Sequence, residues 1–427
     1  MGRMLKSTNL YSKKLNQLAN HKLFNKSIKF GLKRIKTALS LLGHPEKKLN
    51  NVINILGESG KFTTLFSLKS FIEANNQTVS AYISPSLQDI RERFFMKNRY
   101  LTYKEIDNTI KKIEKLKIPL TIFEVYTLIY ILNASKLNVD YHLTECGALW
   151  KKDSVNVFDF PIAQVVTNIN LQHKNFLKKK TLNEIIKEDT GYLCQFSNIY
   201  IAQQTPYVLN KIKGHLKKNQ SKICYPDSWR LIKKNKFYYY QDKKIKIKLN
   251  SMNVFSKGMF SNVAHAIKIA LDLKISKQVI KKTLPKLAFP GRFQYLKKGK
   301  IKKKLYRNEI IMIDGAHSPA DSKNLYNYLK NIKLPKFGIF AMTKNKEPYL
   351  FIKELKNVFQ KVVTMPIENE KSSVSAIELH KACIKNKINS EIAYNFTDAL
   401  KKISTKEKKL IVCFGSLYNC ANILNKN

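Results

Sequence analysis

Lys61 stands in the run Gly57-Glu58-Ser59-Gly60-Lys61-Phe62-Thr63-Thr64, and these residue types at this spacing suit the binding of a phosphate. Glycine lets the backbone approach an anion closely and turn its N–H groups toward it. A helix beginning at the lysine adds the positive end of its dipole. Lys61 supplies a full charge, and the Thr63 hydroxyl suits a Mg²⁺ ion beside the phosphates. The strict phosphate-loop spacing would place another glycine where Ile55 stands. A plain glycine turn opening a surface helix is therefore the competing reading.

The flanking residues favour the phosphate. Val52-Ile53-Asn54-Ile55-Leu56 is short, apolar and β-branched, as a buried strand requires. Leu65, Leu68, Phe71 and Ile72 share one helical face, Asn75-Asn76 ends that helix, and Thr78 to Ile83 reads as the next strand. In open parallel sheets ligands gather at the carboxyl ends of strands. Three more reactive residues lie just after predicted strands: Ser84, Glu145 at the end of Val139–Glu145, and His173 beyond Val165–Ile169. With Thr63 they would converge if their strands share a sheet. A hydroxyl, a carboxylate and an imidazole could then hold an oxygen-preferring cation with several waters. Each also has a plainer reading, the histidine as a hydrogen-bonded surface or core residue and the glutamate as a salt-bridge partner.

Composition narrows the field. The 427 residues exceed one hydrophobic core and suffice for about two or three domains, and the 44% hydrophobic content is ordinary for a globular protein. The formal net charge of +48 comes mostly from lysines spread along the whole chain. Nucleic-acid recognition leans on arginine forks, which are scarce here, so the charge reads as a composition bias that draws acidic small molecules. No nucleic-acid partner is expected. The six cysteines form no C-x-x-C pair and read as reduced, mostly buried thiols. The basic N-terminus lacks the apolar core of a signal peptide, and no apolar run reaches membrane-spanning length. The expected compartment is the cytoplasm, with no membrane partner.

Residues 1–50 read as helical and basic, with an apolar stripe of Phe30, Leu32, Ile35, Ala38, Leu39 and Leu42 ended by Gly43-His44-Pro45. Residues 103–137 read as two helices around Pro119 to Glu124, and a helix over 181–188 leads to Asp189. The polar stretch 195–250 offers strands at Ile199–Ala202 and Phe237–Tyr240, and a helix over 261–273 opens at Ser261-Asn262. Phe289-Pro290-Gly291-Arg292-Phe293 makes a rigid turn with an isolated arginine. The lysine-rich run 297–304 is either a linker or an exposed hairpin. Beyond it, strands at 309–313, 337–342, 360–364, 391–394 and 409–414 alternate with helices at 319–330, 348–357, 374–385 and 397–404. The pattern predicts α/β architecture throughout. A three-layer, P-loop ATPase-type domain with a mostly parallel sheet occupies 1–296, and a smaller Rossmann-like domain occupies 305–427.

Taken in order, these pieces resemble the folylpolyglutamate synthase/dihydrofolate synthase family of the Mur ligase superfamily. The resemblance runs over nearly the whole chain. It rests on Gly57 to Thr63, Ser84-Pro85 with Glu92-Arg93, Thr121 with Phe123-Glu124, Glu145 with Gly147 and Asp153, and Thr167-Asn168 with His173. It continues through Phe289 to Phe293, Asp314-Gly315-Ala316-His317 and Gly415-Ser416. The resemblance implies an ATP-dependent, Mg²⁺-requiring ligase. ATP phosphorylates a carboxylate of dihydropteroate or of a folate's glutamate tail, and L-glutamate attacks the acyl phosphate. A monomer with small-molecule substrates is expected, its active site in a cleft between the domains.

By the resemblance, Gly57, Gly60, Lys61, Phe62 and Thr63 belong to the nucleotide loop, and Asn262, Arg292 and Asp314 to further nucleotide contacts. Ser84, Glu145 and His173 are implied as metal ligands. Thr121, Ile122, Phe123, Glu124, Lys152, Asp153 and Ser154 fall on the pterin side. Lys61, Arg292, His317 and Asp189 are the implied catalytic residues. The chain departs from the family pattern at Glu58-Ser59, Phe62, Ser86, Leu149-Trp150-Lys151, Gln172 and Ser318. At Asp189 the family carries a lysine, normally carboxylated. Alternatives are a Mur-type amino-acid ligase and a nucleotide- or folate-binding pseudoenzyme without turnover.

Overall fold

The computed structural model describes residues 30–427 except 174–175, 236, 250–255 and 345. The first part of the stretch expected to be helical and basic, residues 1–29, lies outside the described residues. The apolar stripe after it forms a helix, Lys33–Leu41, that buries Ile35, Ala38 and Leu39. The chain divides into two compact units. One comprises the chain through Met252 with Ser261–Leu287, the other Asn253–Phe260 with Ala288–Asn427. The short segment joins the second unit through Asn324, whose side chain accepts from Gly258 N at 3.3 Å and donates to Ser256 Oγ at 3.0 Å.

The first unit is built on strands β1 (Val52–Leu56), β2 (Val79–Tyr82), β3 (Phe94–Met96), β4 (Arg99–Tyr100), β5 (Tyr141–Glu145), β6 (Ala163–Val166), β7 (Asn198–Ile201) and β8 (Lys222–Cys224). They form one sheet in the order β4-β3-β2-β5-β1-β6-β7-β8. All pairings from β2 to β8 are parallel, and only the edge strands β3 and β4 run antiparallel. Strand β1 is central and buried along its length, which its apolar residues allow. Its one polar residue, Asn54, is satisfied across the sheet by the Thr144 hydroxyl at 2.7 Å. The chain leaves β1 toward β2 on one side, while β6, β7 and β8 extend on the other. The loop after β1 therefore opens at the switch point of the sheet, where such folds bind ligands.

A three-stranded antiparallel sheet follows, β9 (Trp229–Lys234), β10 (Phe237–Asp242) and β11 (Lys246–Lys248). Only β10 is apolar enough to be read from the sequence. In β9 and β11 the exposed lysines mask the inward Trp229 and Ile247.

The second unit carries β12 (Gln294–Tyr295), β13 (Glu309–Asp314), β14 (Lys336–Phe340), β15 (Lys361–Thr364), β16 (Ser390–Ile392) and β17 (Lys409–Phe414). Their order is β12-β13-β17-β14-β15-β16, parallel except for β12. The lysine-rich run expected as linker or hairpin instead holds a short helix, Lys300–Lys304. Its Ile301 is buried, and Asn427 accepts from Lys300 N at 2.7 Å and Ile301 N at 3.2 Å. Among the described residues no helix is long and apolar enough to cross a membrane. All six cysteines are free thiols.

Gly57 holds φ +102, and a Cβ there would lie 2.7 Å from Thr167 Oγ1 and 3.0 Å from Thr167 O. Gly57→Ala is expected to cost about 1–3 kcal/mol of stability, the usual range for a strained backbone position. Gly214, within the helix Pro206–Leu216, has nothing within 4 Å of such a Cβ. Gly214→Ala is expected to gain about 0.5–1 kcal/mol. Denaturant titrations of the two variants in parallel check the contrast.

Candidate active site

The loop after β1 turns twice through the left-handed region, at Gly57 (φ +102) and Gly60 (φ +98). Gly60 opens the helix Lys61–Ala74 with no side-chain cap, so the first-turn N–H groups are left for an external acceptor. Asn262 lies against this turn: a Cβ on Gly60 would come within 2.4 Å of its Oδ1, and its carbonyl accepts from Thr64 Oγ1 at 3.5 Å. Phe62 stacks on Phe66 one turn on, at 5.5 Å between ring centroids.

Lys61 is buried, and its ammonium turns back on the loop, donating to Gly57 O at 2.6 Å and Glu58 O at 3.3 Å. Burial alone would depress its pKa. Glu58, Cys146, Glu145 and Asp189 outweigh that and hold it above the ordinary lysine value. The surplus of carboxylates shows on Asp189. Burial, reinforced by Glu58, pushes it up to about 8, although Trp150 N donates to its Oδ1 at 3.1 Å and Lys61 draws it down. Its Oδ2 and Glu58 Oε1 are buried with no hydrogen-bond partner.

The residues expected to hold a metal arrive by two routes. Glu145 ends β5, and its Oε2 accepts from Ser84 N at 3.0 Å. The Ser84 hydroxyl accepts from Arg93 Nη1 at 2.9 Å. His173 is tied by Nδ1 to Glu58 Oε2 at 2.6 Å. Among the described residues no three His, Cys, Asp or Glu side chains close on one point. The donor chemistry still fits a hard divalent ion. Carboxylate and hydroxyl oxygens with one imidazole suit it, and Glu58 Oε1 and Asp189 Oδ2 are buried oxygens with no hydrogen-bond partner.

The pterin-side candidates spend most of their polar atoms on the fold. Thr121 and Glu124 form a reciprocal capping box on the helix Ile122–Ala134, and Arg34 Nε donates to Glu124 Oε2 at 3.1 Å. Ile122 is half-buried within that first turn. Asp153 is buried and accepts from the N–H groups of Gly147, Ala148 and Val155 at 2.9, 3.1 and 3.0 Å. Lys152 is exposed. Ser154 meets Thr127 Oγ1 at 2.6 Å, which joins the loop after β5 to this helix beside the exposed Phe123. Sequence reasoning passed over Arg93 and Tyr126 as site residues. The Arg93 guanidinium lies 4.8 Å over the Tyr126 ring, with its Nε buried and unpartnered. The signal for Arg93 was its place beside Glu92 after Ser84, and Tyr126 gave none.

The second unit gathers its own three candidates. Asp314 ends β13 and accepts from Phe293 N at 2.8 Å and Ala316 N at 2.9 Å, while burial pushes it up to about 6. Gly315 N donates to Gly291 O at 2.8 Å, which clamps the Arg292 turn to the end of β13. His317 Nδ1 bonds Gly315 O at 2.8 Å, and burial, with Lys346 adding to it, lowers its pKa to about 4. The imidazole is therefore neutral at physiological pH. Ser318 caps the helix Pro319–Leu329 in a capping box with Asp321.

A glycine-lysine loop at the switch point of a mainly parallel sheet, in one chain with a second mainly parallel sheet, defines a two-unit α/β protein with a nucleotide-type loop. The family model for the dihydrofolate synthetase C-terminal domain matches residues 297–426. The chain is 24% identical to the dihydrofolate synthetase of Saccharomyces cerevisiae over 423 residues, covering 93% of this chain and 98% of that protein. It is 23% identical to the dihydrofolate synthase/folylpolyglutamate synthase of Bacillus subtilis over 439 residues, covering 93% and 94%. The solved structure of E. coli FolC in complex with DHPP and ADP matches with a TM-score of 0.84 at 21% identity, over 97% of this chain and 96% of that one. A Yersinia pestis folylpolyglutamate synthase/dihydrofolate synthase, complexed with AMPPNP and a Mn ion, matches with a TM-score of 0.82 at 20% identity, over 97% of each. Over nearly its whole length the chain is thus similar to dihydrofolate synthases and folylpolyglutamate synthases, and its C-terminal part matches the dihydrofolate synthetase C-terminal domain.

Asp189 gives the site a pH signature. Its folded value of about 8 lies above the ordinary carboxylate range, so the folded chain holds this proton more tightly than the unfolded chain. The stability it contributes is full below about pH 4 and is lost as the pH rises through about 8. Asp189→Asn cannot ionise. Between about pH 5 and pH 9 its melting temperature is expected to fall less than that of the wild type. Parallel melting curves across that range would rule the buried proton out.

Proposed function

We propose that this protein is an ATP-dependent ligase that joins L-glutamate to dihydropteroate or to a folate through an acyl phosphate. The observation that carries the reading is the buried, charged Lys61 on the glycine loop at the switch point of the sheet, with Glu145 ending the neighbouring strand. A carboxylate resists attack by an amine until one of its oxygens becomes a good leaving group. Phosphoryl transfer needs positioning and charge neutralisation more than covalent help. A bound Mg²⁺ would supply part of that neutralisation, and Ser84, Glu145 and His173 are the residues proposed to hold it.

The chain's own residues supply the rest. The uncapped N–H groups at the start of the helix Lys61–Ala74, with Gly57, Gly60, Phe62 and Thr63 around them, receive the phosphates. Lys61 places its ammonium against them, and Asn262 borders the same turn. Asn262, Arg292 and Asp314 are proposed nucleotide contacts, Arg292 offering a planar cation to the transferring phosphoryl group. His317 is neutral with Nδ1–H held by Gly315 O, so Nε2 is free in kind to accept a proton from the attacking amine. The exposed Phe123, with Ile122, Ser154 and Lys152 nearby in sequence, is proposed to face the pterin. Thr121, Glu124 and Asp153 act there by shaping the loops. The proposed substrates are small molecules and the proposed state is a monomer in the cytoplasm.

The test is a product assay with ATP, Mg²⁺, L-glutamate and either dihydropteroate or tetrahydrofolate. Glutamate-dependent product is expected with at least one acceptor. Lys61→Ala is expected to lower the rate by about 10²–10³-fold, the usual cost of removing one charge-stabilising donor. Product formation unaffected by Lys61→Ala would refute the loop's role. Nucleotide binding with neither product would leave a pseudoenzyme.

A further inference from the structure

Glu58 and His173 sit on different loops, one after β1 and one after β6, and their side chains meet at 2.6 Å between Oε2 and Nδ1. The Glu58 side chain is fully buried, and that of His173 keeps 24% of its surface exposed. His173 holds φ +50, a left-handed conformation that persists in an L residue only where its surroundings enforce it. Glu58 N and Ser59 N both donate to Asn168 O, at 3.1 and 3.0 Å. Ser59 Oγ accepts from Asn170 Nδ2 at 2.9 Å and Gln172 Nε2 at 3.0 Å. Phe176 N closes the turn on His173 O at 3.1 Å. Lys61 bonds the Glu58 carbonyl rather than its carboxylate, and Glu58 Oε1 has no hydrogen-bond partner. Among the described residues the carboxylate's hydrogen bond is to His173.

We propose that Glu58 is the positioning residue of His173: its carboxylate accepts a hydrogen bond from Nδ1–H, fixes the ring, and leaves the Nε2 lone pair to be offered to a divalent cation. The inference rests on the proposed role of His173 as a metal ligand. Residue 58 gains this role because its loop is fastened to the His173 loop by Ser59 and Gln172. A carboxylate behind a metal-binding imidazole sets the tautomer and orientation and strengthens the ligand, and losing such a partner typically weakens metal binding about ten- to hundredfold.

The experiment uses the full chain with ADP and measures Mn²⁺ affinity by electron paramagnetic resonance for wild type, His173→Ala and Glu58→Gln. Nitrogen-15 NMR of the metal-free wild type reads the His173 tautomer directly and needs no variant to fold. The expected results are an Nδ1–H tautomer in the wild type and Mn²⁺ affinity about ten- to hundredfold weaker in both variants. Unchanged affinity in His173→Ala would overturn the ligand role and the inference with it. Weakened affinity in His173→Ala alone, or an Nε2–H tautomer in the wild type, would overturn the role of Glu58 and leave the ligand role standing.

Discussion

A single buried ammonium governs the first unit. Lys61 is buried, and the loop carbonyls of Gly57 and Glu58 accept hydrogen bonds from its ammonium. The acidic groups around it, Glu58 foremost, keep it charged. Buried charge is tolerated only with such compensation, so these carboxylates are tied in their turn. Glu145 is anchored by Ser84 N, Glu58 by His173, and Asp189 by Trp150 N. The loops after β1, β2, β5 and β6 are thus linked around one cation.

This linkage joins several of the points at which the chain departs from the family pattern it resembles. Glu58, Ser59 and Gln172 are one interlocked group, because Ser59 receives Gln172 and Glu58 receives His173. Leu149, Trp150 and Asp189 are another. Leu149 occupies a left-handed backbone (φ +55), and the next N–H, that of Trp150, donates to Asp189 Oδ1. The bulk is accommodated by burial, since Leu149 and Trp150 are both in the core. Ser318 serves as a helix cap. Nothing in the structure explains Ser86.

Local chemistry made much of this protein legible in its residue order. The strand β1, the turn glycines and the helix Lys61–Ala74 could be read directly, because an apolar β-branched run, obligatory positive φ and a 3.6-residue stripe are each written in adjacent residues. The alternation of the second unit was equally plain. The meander β9–β11 was not, since its lysines point outward and leave few apolar positions to count. The run 297–304 also misled. Its lysines suggest an exposed connection, and its helix depends on buried Ile301 and on Asn427 at the far end of the chain.

The same division holds for the candidate site. A phosphate-suited loop, the strand closed by Glu145 and the strand closed by Asp314 follow from residue order alone, because they depend on neighbours within a few residues. What their side chains touch follows from the three-dimensional fold. Arg93 reaches Ser84, Asp153 is filled by backbone amides, and Glu58 finds His173 across 115 positions of chain. Such partners are chosen by where the strands lie in the sheet, and hydrogen bonds and buried charge act over a few ångströms of space, whatever the distance along the chain.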